Sequence, residues 1–105
     1  MVEVRRSADC GNSPKNQFAE EYVIALLTGD ISTLERSSSF NISAEQISSE
    51  RLSRVQIDHV VTHGKVGAVN GTLGMSDGHS AGFCFVLVFA SAKADRVAEI
   101  TRYRS

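Results

Sequence analysis

The chain has 105 residues, of which 42% are hydrophobic and 22% are charged, and its formal net charge is −1. These values are typical of one globular domain and exclude a chain that is disordered throughout, because such chains combine few apolar residues with a high net charge. The small net charge gives no electrostatic reason to expect a nucleic acid or a membrane surface as partner, and no apolar run approaches the ~20 residues that span a bilayer.

Two cysteines, Cys10 and Cys84, lie too far apart in the sequence for a CxxC motif or a zinc-finger spacing. The first six residues include basic side chains but no apolar stretch follows them, so the sequence predicts no secretory signal. We therefore expect reduced thiols in a cytoplasmic protein. The histidines have no spacing typical of a metal site, and neither a metal nor a cofactor is predicted.

The first part of the chain predicts two helices. Ser13-Pro14 is a typical helix start, because a polar capping residue is followed by a proline whose missing N–H costs nothing there. Apolar residues from Phe18 onward recur every three to four positions until Gly29, which is typical of a helix end. Asp30 can cap a second, short helix over residues 31–36.

The middle of the chain, residues 37–54, has the weakest pattern. Seven of the seventeen residues 37–53 are serines, and serine competes with the helical backbone for hydrogen bonds. Two interpretations stay open. The segment forms a short strand at 40–42 and a helix over 44–54, or it is an irregular, disordered flap.

From residue 55 onward the pattern predicts four strands, over residues 55–61, 66–75, 81–90 and 96–104. The second connection contains Asp77-Gly78, the strongest short hairpin signal. The third strand is apolar at nearly every position, so we expect it to be central and covered on both faces. Helices followed by an antiparallel meander predict an α+β fold in a single domain, 1–105.

Several short motifs occur in order along the chain, at residues 9–15, 24–25, 29–30, 62–65, 67–71, 81–89, 99–101 and 103. Together with the order of elements, they resemble the nuclear transport factor 2-like superfamily, and within it the small bacterial SnoaL-like (polyketide cyclase-like) proteins. The resemblance implies a cone-shaped, cystatin-like roll, in which a curved four-stranded sheet wraps two or three helices around an apolar pocket. It also implies homodimers joined through the outer face of the sheet. Relatives build one pocket wall from a tryptophan-bearing strand and a third helix, where this chain has the serine-rich residues 37–54.

The same resemblance places Tyr22 at the position of the tyrosine that polarises a carbonyl in the ketosteroid isomerases of the superfamily. The carboxylates of that chemistry are absent, however. No aspartate occurs between Asp30 and Asp58, and Phe85 stands where a second acid is expected. Because proton abstraction beside a carbonyl needs a base within reach, isomerase chemistry is disfavoured.

Two further polar residues fall in the predicted strands. Strand periodicity places His59 on one face with Val55, Ile57 and Val61, which is the apolar, concave face. Asn70 lies in an otherwise small and apolar strand, so its amide needs either a ligand or an internal partner. Histidine can act as an acid or a base near neutral pH, but a histidine in such a place is more often simply a hydrogen-bonded residue of the core or rim.

The predicted ligand-binding set is therefore Tyr22, His59, Asn70 and Phe85, around an apolar pocket. The first predicted function is the binding of a small apolar molecule without catalysis. The alternatives are a cyclase, dehydratase or isomerase that acts on a carbonyl compound through Tyr22 and His59, or a pure dimerisation module. A pocket filled by the phenylalanines of the third strand would favour the last of these.

Overall fold

Two helices and five strands follow one another within the residues that the computed structural model describes, 2–8, 13–41, 51–93 and 95–104. Their bounds are β1 Glu3–Arg5, α1 Pro14–Thr28, α2 Ile31–Ser37, β2 Leu52–His63, β3 Val66–Met75, β4 Ser80–Phe89 and β5 Val97–Arg104. The helices pack on one face of the sheet, and the predicted α+β class is confirmed.

Both helices begin, and α1 also ends, at residues whose local chemistry predicts it, while α2 extends one residue past the predicted 31–36. The Ser13 hydroxyl accepts a hydrogen bond from the Asn16 amide at 3.2 Å, which satisfies one of the free N–H groups of the first turn of α1. Gly29 ends α1 in the left-handed conformation, with φ 77°, and donates to the Ala25 carbonyl. Asp30 then caps α2 through its side chain.

The five strands form one sheet in the order β1-β2-β3-β4-β5. The last four are the antiparallel meander that the sequence predicts. The expected count of four strands is wrong, because Glu3–Arg5 pairs in parallel with Arg54–Gln56 of β2 and adds a fifth. Three residues are too few to show an alternating pattern, so this strand is visible only through its pairing.

The strand β2 starts earlier than predicted, inside the segment interpreted as irregular or helical. Leu52 pairs with Met75, and both Leu52 and Arg54 belong to the sheet. A helix over 44–54 is therefore wrong at its end. Phe40 and Asn41 lie in no strand. Residues 42–50 lie outside the described residues, and with them the rest of the predicted helix and of the alternative flap.

The core lies between α1 and one face of the sheet, here called the inner face; the opposite face is the outer face. Residues on the core side of α1 pack mainly on β2 and β3. The core consists of apolar side chains from both layers, including Ala19, Val23, Leu26, Val55, Val60, Val69, Leu73, Leu87 and Val97. Their burial is the main favourable term for the fold, at roughly 25 cal/mol per Å² of apolar surface removed from water.

An irregularity in β2 reverses the side-chain alternation halfway along the strand. Ile57 pairs with Gly71 and His59 pairs with Asn70, so Asp58 is an extra residue that pairs with no residue of β3. From Val55 to this bulge the inward residues have odd numbers, and after it they have even numbers. The bulge therefore decides which face His59 occupies.

The strand β5 has a similar irregularity. Val88 pairs with Glu99 but Phe89 pairs with Val97, so Ala98 is the extra residue. Val97 lies on the inner face before it, whereas Glu99 lies on the outer face after it. For this reason the apolar residues of β5 keep no single period in the sequence.

Candidate functional site

Tyr22 lies on the core side of α1 and is 1% exposed. Its hydroxyl is 2.6 Å from the Oγ of Ser38, which is also buried and follows α2. Burial raises the pKa of Tyr22 above its ordinary value of 10.0, while the hydrogen bond to Ser38 lowers it by less. The hydroxyl is thus a neutral group whose hydrogen bond is made inside the protein.

Aromatic rings occupy the inner face where a pocket was expected. The Phe18 ring is tilted against two others, with its centroid 6.3 Å from that of Tyr22 and 6.1 Å from that of Phe89. Phe83 and Phe85, at 5.8 Å from each other, are both buried on the same face of β4. The described aromatic rings of this face thus contact one another.

His59 lies on the outer face, not with Val55 and Ile57 as the periodicity predicts. The prediction is wrong because the bulge at Asp58 shifts the alternation by one residue. His59 stands directly opposite Asn70, and both side chains are exposed.

The four predicted ligand-binding residues therefore do not converge. Tyr22 and Phe85 are buried on the inner side of the sheet, whereas His59 and Asn70 face away from it on the outer side. An enzyme that uses Tyr22 and His59 on one substrate would need both groups on the same side. The described geometry provides no such site.

The outer face carries a cluster of apolar side chains instead. We define the outer patch as Val61, Val66, Ala68, Val86 and Val88, which are neighbours across β2, β3 and β4. Val61 is 60% exposed and Val66 is 50% exposed. Among the described residues, the helices cover only the inner face, so water is in contact with this patch.

The resemblance implies dimer contact through the outer face of the sheet, but the sequence did not identify the residues of the outer patch, although one signal for them was present. The strand β4 is apolar on both faces, which is typical of a strand covered from both sides. Phe85 and Leu87 are buried on the inner face, while Val86 and Val88 point the other way. Val61 went unrecognised for the same reason as His59, because the bulge moves it from the predicted inner face to the outer one.

A polar row of four paired residues borders the outer patch: His59, Asn70, Cys84 and Tyr103. A shallow depression of about 330 Å³ lies in this row and is lined in part by Asn70, Cys84 and Tyr103. Cys84 carries a free, half-buried thiol; Cys10 lies outside the described residues.

Within the described ranges, no three histidine, cysteine, aspartate or glutamate side chains are grouped so that they could hold a metal ion. No described helix is both long enough and apolar enough to cross a membrane. Comparison with protein-family models, with curated proteins and with solved structures found no match.

Proposed function

We propose that this chain is a self-association domain in which the outer face of the sheet joins two copies. The observation that carries the proposal is the outer patch, where Val61 and Val66 are each at least half exposed. Single exposed apolar residues are ordinary on a protein surface, but a contiguous group of them marks an interaction site. A second copy presents the same apolar surface and is therefore a matching partner.

The size of the outer face supports a second copy as the occupant. The strands β2 to β5 are eight to twelve residues long. At strand spacings of about 4.8 Å, the projected area of this face is roughly 600 Å². The solvent-accessible area of the face is larger than this projected area, because side chains protrude from the sheet. Specific interfaces bury about 800 Å² per partner, which this face can supply.

The same element order supports the proposal that the domain is a cone-shaped roll of the nuclear transport factor 2-like type. Two helices precede a four-stranded meander, as the resemblance implies, and β1 is an addition to it. A small apolar ligand or carbonyl chemistry has less support. The Tyr22 hydroxyl already bonds to Ser38, and phenylalanine side chains occupy the inner face of β4.

Two matched substitutions test the proposal. Val61→Glu places a charge in the outer patch, and Ile31→Glu places the same charge on another exposed β-branched residue, at the start of α2. We expect sedimentation equilibrium to show a dimer for the wild type and for Ile31→Glu. We expect Val61→Glu to be monomeric at the same concentration, because a dimer would bury its carboxylate without a partner.

A wild type that sediments as a monomer at every accessible concentration would contradict the proposal. A dimer that Val61→Glu leaves unchanged would contradict it equally, since the contact would then lie elsewhere. Circular dichroism melting of the variants provides the folding control, because both substituted residues are exposed and neither belongs to the core.

A further inference from the structure

Cross-strand pairing arranges the outward residues in rows that run across the sheet. The first row is His63, Val66, Val88 and Glu99, and the second is Val61, Ala68, Val86 and Thr101. In both rows the two central strands contribute only apolar side chains. The first row ends in an imidazole on β2 and in a carboxylate on β5.

Neither end group of the first row has a partner within the described part of the chain. The ion pairs there join Arg5 with Glu3, Arg6 with the glutamates of α1 and His79 with Asp77, and none involves His63 or Glu99. Both side chains are exposed. The outer face therefore offers two unpaired groups of complementary chemistry, at opposite edges of one row.

Symmetry limits how two such faces can meet. The two-fold axis of a face-to-face dimer lies in the plane between the sheets, and each residue then contacts the residue that the axis carries onto it. An axis parallel to the strands, between β3 and β4, places Val66 on Val88 and Ala68 on Val86 of the second copy. All rows then overlap, in the aligned packing that is common for sheets.

An axis perpendicular to the strands, between the two rows, is the other way to place the apolar side chains of one copy on those of the other. It places Glu99 on Thr101 of the second copy. Because this axis lies near the end of the sheet where β2 joins β3 and β4 joins β5, most of each sheet would extend past the other copy and lack a partner surface. The parallel axis instead carries β2 onto β5, so that His63 meets Glu99. The overlap of apolar side chains and the pairing of an imidazole N–H donor with a carboxylate acceptor thus select the same axis.

We infer that two copies pack with the two-fold axis parallel to the strands, between β3 and β4, and that His63 of each copy pairs with Glu99 of the other. This inference rests on the proposed function. Packed sheets stand about 10 Å apart, a gap that an imidazole and a glutamate can bridge when they extend towards each other. The two symmetry-related pairs fix the orientation, while the outer patch provides most of the affinity.

A charge exchange tests the orientation. His63→Glu places two carboxylates opposite each other, and Glu99→Arg places a guanidinium opposite the imidazole. We expect each single variant to raise the dimer dissociation constant roughly tenfold, because each substitution acts at two symmetry-related contacts. The double variant His63→Glu/Glu99→Arg restores a complementary pair, and we expect its dissociation constant to return close to the wild-type value.

The matched control is His59→Glu/Glu99→Arg, which makes the same exchange on the same strand and face. In the inferred arrangement His59 lies against Tyr103 of the second copy, so this combination remains as weak as Glu99→Arg or weaker. One outcome would overturn the orientation alone. In that outcome Val61→Glu dissociates the dimer, but His63→Glu/Glu99→Arg does not restore the affinity that the single variants lose. A wild type without any dimer would overturn the proposed function as well.

Discussion

At Gly71 the structure requires the absence of a side chain. A Cβ added there would overlap the carbonyl oxygen of Gln56 and lie 2.9 Å from its carbonyl carbon. Both atoms belong to the backbone beside the bulge of β2, and backbone cannot move aside without breaking the pairing. The glycine therefore allows β2 to bulge at Asp58 and to present His59 outward.

We predict that Gly71→Ala lowers the free energy of unfolding by more than about 2 kcal/mol, since overlap in a packed sheet forces the backbone to shift. The control is Gly74→Ala on the same strand, whose added Cβ would lie 3.3 Å from the Cβ of Arg54, a contact with a side chain. Urea unfolding of both variants at one protein concentration measures the difference. Equal losses would contradict the role given to Gly71.

The Tyr22–Ser38 pair is structural in this account, so its removal should affect stability. Tyr22→Phe leaves the Ser38 hydroxyl buried without a partner and should cost about 1–2 kcal/mol. Ser38→Ala should cost a similar amount, and the double variant should cost less than the sum of the two. Additive losses in urea unfolding would show that the two hydroxyls do not interact.

The raised pKa of Tyr22 predicts how stability responds to alkali. The unfolded chain ionises this hydroxyl near its ordinary value of 10.0, whereas the folded protein keeps it neutral to higher pH. Stability is thus unaffected below that value and is lost as the pH rises through it. Between about pH 9 and about pH 11 the wild type should lose more free energy of unfolding than Tyr22→Phe does, and parallel losses would contradict this.

At the scale of elements, β1 is held in place by a buried carboxylate. Glu20 of α1 is 1% exposed. It accepts hydrogen bonds from the amide of Ser7 at 3.3 Å and from its hydroxyl at 2.9 Å, while Arg6 donates at 3.4 Å. Hydrogen bonds to a charged acceptor are stronger than neutral ones, so these contacts tie the chain after β1 to α1.

We predict that Glu20→Ala releases β1 from the sheet edge and costs about 2 kcal/mol of stability. Glu21→Ala is the matched control, because Glu21 is half exposed and its carboxylate lies farther from the Arg6 guanidinium, at 3.9 Å, than that of Glu20. Hydrogen exchange of the amides of residues 3–5 measures the effect. Exchange there should be faster in Glu20→Ala and unchanged in Glu21→Ala, and equal rates in both variants would contradict the prediction.

The sequence predicts well those elements whose start, end and shape are determined by residues within the element itself. A cap, a period of 3.6 residues and a terminal glycine lie within α1 itself, and Asp77-Gly78 lies within its own turn. The bulge in β2 has a distant cause, since its position depends on Asn70 and Gly71 of the next strand. For this reason the inward face of β2 was predicted correctly as far as Ile57 and wrongly after it.

At the scale of the whole molecule, the same bulge explains why the candidate site differs from the predicted one. A single period in β2 would bring His59 to the side of Tyr22, but the extra residue moves His59, Val61 and His63 to the outer face. The polar residues of β2 therefore lie away from Tyr22, and apolar side chains are exposed on the outer face. Besides the dimer contact that the resemblance implies for the outer face, the sequence indicated the outer patch through the apolar pattern on both sides of β4.

Isotope-filtered nuclear Overhauser measurements, on a sample that mixes labelled and unlabelled copies, test the central claim most directly, because they report contacts between copies only. We expect Overhauser effects between the methyl groups of Val66 and Val88, and between those of Ala68 and Val86, on different copies. It would be contradicted by a protein that shows no such contacts, or by contacts between copies that arise from α2 instead of the outer patch.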